Sequence, residues 1–174
     1  MTKPRATYSL TLPSPLGSLT VFATTQAIVK LDWGGRGAKP ADIDTPPEAQ
    51  ALLDEAGRQL AAYFADGKTG FDLPLDPAGT DFQRAVWDFM RAIPAGRTRS
   101  YGEAATAVGT GTVDSRAVGS ACGANPIPVI IPCHRILAAG GDAGGYSGKG
   151  GLETKRWLLR HEGAYVPSEQ VSLF

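Results

Sequence analysis

Near its start the chain alternates apolar and polar residues twice, in "TYSLTLPSPLGSLTVFAT" (7–24) and "AIVKLDWGG" (27–35). Both stretches are rich in β-branched and aromatic residues and are broken by Pro and Gly, which predicts strands joined by hairpin turns. A loop rich in Pro and Asp follows, to about Pro47. The period then changes. From Ala49 to Phe64 the apolar positions Leu52, Leu53, Ala56, Leu60, Tyr63 and Phe64 recur at helical spacing, predicting a helix that packs on the sheet. "DLPLDPAG" (72–79) interrupts both periods and is expected to be a linker.

Beyond it the pattern is helical and its start signals are clear. Thr80 with Gln83 makes one capping box, opening a helix with an expected apolar face of Phe82, Val86, Phe89 and Ile93. Ser100 with Glu103 makes a second, opening "YGEAATAV", which Gly109 is placed to stop. A third helix is predicted over about Val113 to Gly123. Two short helices joined by a Gly-containing turn outline a helix-turn-helix, and equally an ordinary tight helical pair. The Ala, Gly and Ser content of the third helix would let its backbone approach a duplex closely.

Composition adds limits. The 174 residues, 43% of them hydrophobic, suffice for one substantial core or two small ones. The longest apolar run, Pro126 to Pro132, is far short of the roughly 20 residues that span a bilayer, so neither a membrane span nor a signal peptide is expected, and the chain reads as cytosolic. Cys122 and Cys133 are too few for a disulfide framework. Net charge is zero, yet residues 91–160 hold 9 Lys/Arg against 4 Asp/Glu, a net of +5 that could face phosphates.

The candidate chemistry lies in "NPIPVIIPCHRI" (125–136). A free thiol, with a pKa of about 8.5, is largely protonated at neutral pH, so a nucleophilic Cys133 needs a base or a positive charge. His134 and Arg135 follow it directly, but adjacent side chains on an extended segment point apart, and a structural Cys-His pair stays open on spacing alone. A zinc site from Cys122, Cys133, His134 and His161 matches no usual ligand spacing, and no metal or other cofactor is expected. The glycines of 140–151 contain no phosphate-loop string. Lys155 and Arg156 read as a solvated helix face or as phosphate contacts, Cys122 as a small buried hydrophobe, and His161 as a helix C-terminal residue.

This block, with the Gly-rich "GGDAGGYSGKGG" and the helix "LETKRWLLRHEG" after it, resembles the active-site signature of the O6-alkylguanine-DNA alkyltransferases. The likeness runs from Asp81 to Gly163 and extends to "SPLGSLTVFAT" near the start. It implies a β-rich, ribonuclease H-like α/β domain (1–75) followed by a mainly α winged helix-turn-helix domain (76–174). The implied activity is repair of DNA: transfer of an alkyl group from O6 of guanine, and from O4 of thymine as a second substrate, to Cys133, once per molecule, after the nucleotide is flipped out.

Carried over position by position, Cys133 would accept the alkyl group, His134 would take its proton through a water, and Glu162 would orient His134. Asn125 would brace the turn, and Tyr101 would donate to the leaving guanine. The Ser147 amide would meet O6, the carbonyls of Cys133 and Ile136 would read the exocyclic amine, and Tyr146 and Pro128 would line the pocket. Arg116 would enter the duplex, with a phosphate contact or an ion pair to Asp114 as its alternatives; Ser115, Ala117 and Gly119 would lie against DNA, in the minor groove. The implied partner is double-stranded DNA carrying alkylated guanine, bound by a monomer, with cooperative binding open. Lys149 and Gly150 are extra residues relative to shorter members, and Pro128 and Gly144 leave room for groups larger than methyl. Competing readings are a protein that recognises the lesion without reacting, a Cys-His-Glu thiol hydrolase, and a helix-turn-helix regulator.

Overall fold

The computed structural model describes residues 5–35, 42, 44–109, 115–141 and 143–164. Its first unit is an antiparallel sheet, β1 (Tyr8–Leu12), β2 (Leu19–Ala23) and β3 (Ile28–Trp33), in that spatial order. Alternation does what it predicts: Leu19, Val21 and Ala23 of the central strand are buried on one face. Helix α1 (Pro47–Asp66) lies against β1 and β2. It begins before the expected Ala49 because Pro47, which has no N–H to leave unpaired, is tolerated in a first turn. Its buried positions are Ala49, Leu53, Ala56, Gln59, Leu60 and Tyr63, while Leu52 and Phe64 are only half-buried at the edge of that face.

The stretch expected to be a linker is anchored. Ile28 N donates to Pro74 O at 2.8 Å and Asp76 N to Ile28 O at 2.9 Å, so the segment runs parallel beside the start of β3. Proline removes a donor, but its carbonyl still accepts. The Gln59 amide clamps Asp72 from α1, donating to its carbonyl and accepting from its N–H.

Both capping boxes are present, at α2 (Asp81–Arg91) and α3 (Tyr101–Val108). The inner face of α2 is Val86, Trp87 and Met90; Phe82 and Phe89 are half-buried, and Ile93 is buried beyond the helix end. Trp87 takes the centre because its indole N–H, which would be costly to bury unpaired, donates to Ala121 O of α4 at 2.9 Å. Helix α4 spans Ser115–Gly123 and packs on both α2 and α3; the expected start at Val113 lies outside the described residues. A parallel pair, β4 (Arg99–Ser100) with β5 (Ile136–Leu137), ties the entry of α3 to the segment after Cys133. Helix α5 (Leu152–His161) closes the unit. One continuous core runs from Leu19 and Leu53 through Met90 and Val118 to Ile131 and Leu158. Among the described residues no helix is long and apolar enough to cross a membrane.

Candidate active site

After α4 the chain turns sharply. Asn125 spans the turn, its Oδ1 accepting from Ile127 N at 2.9 Å and its Nδ2 donating to Ile131 O at 2.8 Å. Ile131 N also donates back to Ile127 O at 2.8 Å. Within that turn Val129 is held at φ +72°, a conformation a β-branched residue resists. Hydrogen bonds and full burial hold it there. Leu31 N donates to Pro126 O, so β3 supports the turn from the other unit. Cys133–Arg135 then form one turn of 3-10 helix rather than an extended run, and this sends the three side chains in different directions.

His134 and Arg135 both reach Glu162, just past the end of α5. The distance from His134 Nε2 to Glu162 Oε1 is 2.6 Å; Arg135 Nε donates to Oε2 at 3.0 Å and Arg135 Nη2 to Oε1 at 2.8 Å. Arg135 Nη1 donates to Ile93 O at 2.6 Å. The arginine therefore serves the carboxylate and is not the positive charge beside the thiol that its place in the sequence suggested. Burial alone would raise the Glu162 carboxyl, but His134 and Arg135 outweigh it and hold it at about 2. His134 is wholly buried, and burial pushes its pKa down against the pull of Glu162, leaving a neutral ring. With an ionised carboxylate at Nε2, that nitrogen carries the proton and Nδ1 keeps the lone pair. Nδ1 is buried and has no hydrogen-bond partner among the described residues.

Burial likewise pushes the Cys133 thiol up, with Asn125 and Lys155 opposing the rise. The resting group is a thiol, 6% exposed, lining a cavity of about 380 Å³ with Tyr101, Gly119, Cys122, Gly145, Tyr146 and Ser147 among its walls. Pro128 and Trp33 line an adjoining space of about 230 Å³ that also touches Cys133. Tyr101 stands at the mouth, half-buried, its phenol pushed up to about 12 by burial and by the two cysteines. Gly144 has φ +67°, and a Cβ there would meet the Tyr101 ring at 3.3 Å, so glycine lets this wall close on the ring. Outside the cavity a groove runs along Ser100, Tyr101, Ser115, Arg116, Gly119 and Gly140; Ser115 and Arg116 are exposed, Ala117 and Gly119 half-buried, and Asp114 lies outside the described residues.

Two side chains were not anticipated. Lys155, expected on the surface, is completely buried, and its Nζ donates to Ile136 O at 2.6 Å and Gly145 O at 3.2 Å. The Ile136 carbonyl, expected to read the substrate amine, thus already accepts one strong hydrogen bond. Helical spacing carried the signal, since Lys155, Leu158 and Glu162 fall three and four residues apart on one face. Tyr63, expected only to pack, donates its hydroxyl to Glu162 Oε1 at 2.8 Å. The four residues of the conceivable zinc site do not converge: His134 is turned to Glu162, while His161 sits at Tyr63 O and stacks on Trp157.

The family model of the 6-O-methylguanine DNA methyltransferase DNA binding domain matches residues 81–164, and that of the same methyltransferase's ribonuclease-like domain matches 7–77. The chain belongs to the 6-O-methylguanine DNA methyltransferase family. Among its relatives, the methylated-DNA–protein-cysteine methyltransferase of Mycobacterium bovis is 42% identical over 91% of this chain and 94% of its own length. That of Methanosarcina acetivorans is 39% identical over 90% and 99%. The crystal structure of Mycobacterium tuberculosis OGT in complex with DNA superposes with a TM-score of 0.72 at 42% identity, covering 88% of this chain and 91% of that one. The methyltransferase family's two units, ribonuclease-like then DNA-binding, are those seen here as the sheet with α1 and the helices that follow.

Proposed function

We propose that this protein repairs DNA by transferring an alkyl group from O6 of guanine to Sγ of Cys133, once per molecule. The observation that carries the reading is a neutral imidazole, fixed by Glu162 in the tautomer that frees Nδ1, adjacent in sequence to a thiol at a cavity wall. In the reaction the Sγ proton passes to His134 Nδ1 with a water as relay. The sulfur electron pair forms the S–C bond as the C–O6 bond breaks, and its electrons leave with guanine. Tyr101, a phenol that stays protonated at working pH, donates to the departing base. Asn125 holds the turn from which Cys133 is presented. The product is a thioether, with no S–H left to ionise and a C–S bond that would have to be cleaved to restore the thiol, which limits each molecule to one event.

A base stacked in a duplex cannot reach a thiol 6% exposed, so the nucleotide is extruded into the cavity. The groove along α3 and α4, with exposed Arg116 at its rim, suits the duplex partner, and Arg116 fills the space the base leaves. Backbone groups of Cys133 and Ser147 and the Tyr146 ring hold the base; the Ile136 carbonyl takes part only with its second lone pair. Intact-protein and peptide mass spectrometry after incubation with excess duplex containing one O6-methylguanine tests the reading. A single methyl on the Cys133 peptide, with uptake ending at one per molecule, is expected; lesion-selective binding without an adduct would make this a non-reacting recognition protein. A parallel duplex with O4-methylthymine tests the second substrate.

A further inference from the structure

Glu162 lies in the helix-ending turn after α5, where the helix alone does not fix its side chain. Its Oε1 receives three donors: His134 Nε2, Arg135 Nη2 and, from α1 in the other unit, the Tyr63 hydroxyl. Tyr63 is itself immobilised. It is completely buried, its ring packs edge-on or tilted against Phe64, Phe71 and His161, and its carbonyl accepts from both Gly67 N at 2.7 Å and His161 Nε2 at 2.8 Å. A ring so fixed holds its phenol oxygen at one place, 2.8 Å from Glu162 Oε1, to which the hydroxyl donates.

We propose that Tyr63 is a positioning residue of the transfer site: its hydroxyl fixes the carboxylate that fixes His134, so the N-terminal unit tunes a thiol it does not need to touch. This rests on the roles given above to Cys133, His134 and Glu162. The physical consequence is specific. A carboxylate oxygen shared among three donors pulls less strongly on any one of them. Tyr63 therefore both sets the orientation of Glu162 and moderates its pull on the imidazole proton. The charged groups acting on His134 are Glu162, Arg135 and Lys155. Tyr63 and Tyr146, whose phenols burial raises well above the usual range, stay neutral throughout. The alternative is a buried tyrosine that merely satisfies its hydroxyl, which would affect stability without acting through Glu162.

The test is a double-mutant cycle on benzyl transfer from free O6-benzylguanine to Cys133, which leaves DNA binding out of the measurement. Tyr63→Phe retains the ring and should slow transfer roughly tenfold, the scale of one hydrogen bond to a charged group. In a Glu162→Gln background the same substitution should add no further slowing. The acid limb of the Tyr63→Phe pH–rate profile should move to higher pH, because the released carboxylate holds the imidazole proton more tightly. Unchanged transfer, or equal slowing in both backgrounds, overturns the proposal. Should Tyr63→Phe fail to fold, 3-fluorotyrosine at position 63 keeps the hydroxyl and strengthens its donation, and the acid limb should then move to lower pH; an unmoved limb overturns the proposal. Wild-type protein that leaves Cys133 unbenzylated refutes the transfer reading itself, and this inference with it.

Discussion

The Nζ of Lys155 stands 2.6 Å from the carbonyl oxygen of Ile136, with no part of the lysine reaching solvent. An ammonium buried in this way is held by what it donates to, and here it ties α5 to β5 and to Gly145 of the cavity wall. It also favours ionisation of Cys133. Lys155→Met, which keeps the stem but not the charge, should leave two carbonyls short of a donor and cost about 1–3 kcal/mol of stability. It should also slow alkyl transfer, because the thiolate loses its nearby cation. Urea unfolding measures the first effect and single-turnover kinetics the second; a variant that is less stable but transfers at the wild-type rate would remove the electrostatic role.

Acid should unfold the protein through Glu162 and His134. The Glu162 carboxyl is held at about 2, below its ordinary 4.5, so the stability it supplies is present above about 4.5 and is lost as pH falls towards 2. His134 is a base with a depressed folded pKa, so the unfolded chain binds a proton below its ordinary 6.5 that the folded chain refuses. Both effects act in the same direction, and stability should decline from about pH 6.5 downward and more steeply below 4.5. Melting temperatures from pH 8 to 3 will show this; in Glu162→Gln the decline below 4.5 should flatten while overall stability is lower.

Much of this was legible in the chain. Both capping boxes, the alternation of β1 to β3 and the α1 period are local signals, and local sequence decides them. The grouping of Cys133, His134 and Glu162 came from resemblance, because nothing local brings residues 28 apart to 2.6 Å. Lys155 and Tyr63 escaped for related reasons. A lysine in a sequence reads as solvated, and only its helical register with Leu158 argues otherwise. Tyr63 meets a residue 99 positions away, and that contact exists only once the two units pack. The anchoring of the 72–79 segment on β3 was not legible because its prolines break both periods, while Pro74 keeps a carbonyl that still accepts from Ile28 N.

Gly67 records how closely those units approach. It ends α1 at φ +67°, and a Cβ there would lie 2.1 Å from the His161 carbonyl oxygen, which is backbone and has no rotamer to escape into. Gly67→Ala should therefore cost more than the roughly 1 kcal/mol of an ordinary left-handed cap, about 2–4 kcal/mol with the steric term added. Gly70→Ala, where a Cβ meets nothing within 4 Å, is the control and should be near neutral. Thermal unfolding of the pair decides; equal effects would mean that the α1 and α5 ends separate at little cost.

Arg116 separates extrusion from chemistry. It is exposed at the rim of the groove beside Tyr101 and is not among the groups that surround Cys133 in its cavity. If its side chain occupies the gap left by the flipped nucleotide, removing it raises the cost of unstacking but leaves the thiol, His134 and Glu162 as they were. Arg116→Ala should then slow methyl transfer from duplex O6-methylguanine roughly tenfold to a hundredfold, the scale of a few kcal/mol for an unstacked base, with transfer from free O6-benzylguanine unchanged. Placing the lesion opposite an abasic site, where no partner base has to be unpaired, should recover part of the loss. Lowering the salt should recover little of it, whereas a plain phosphate contact would lose affinity in a salt-dependent way and be compensated at low ionic strength. Equal slowing with duplex and free base would assign Arg116 to the integrity of α4 instead.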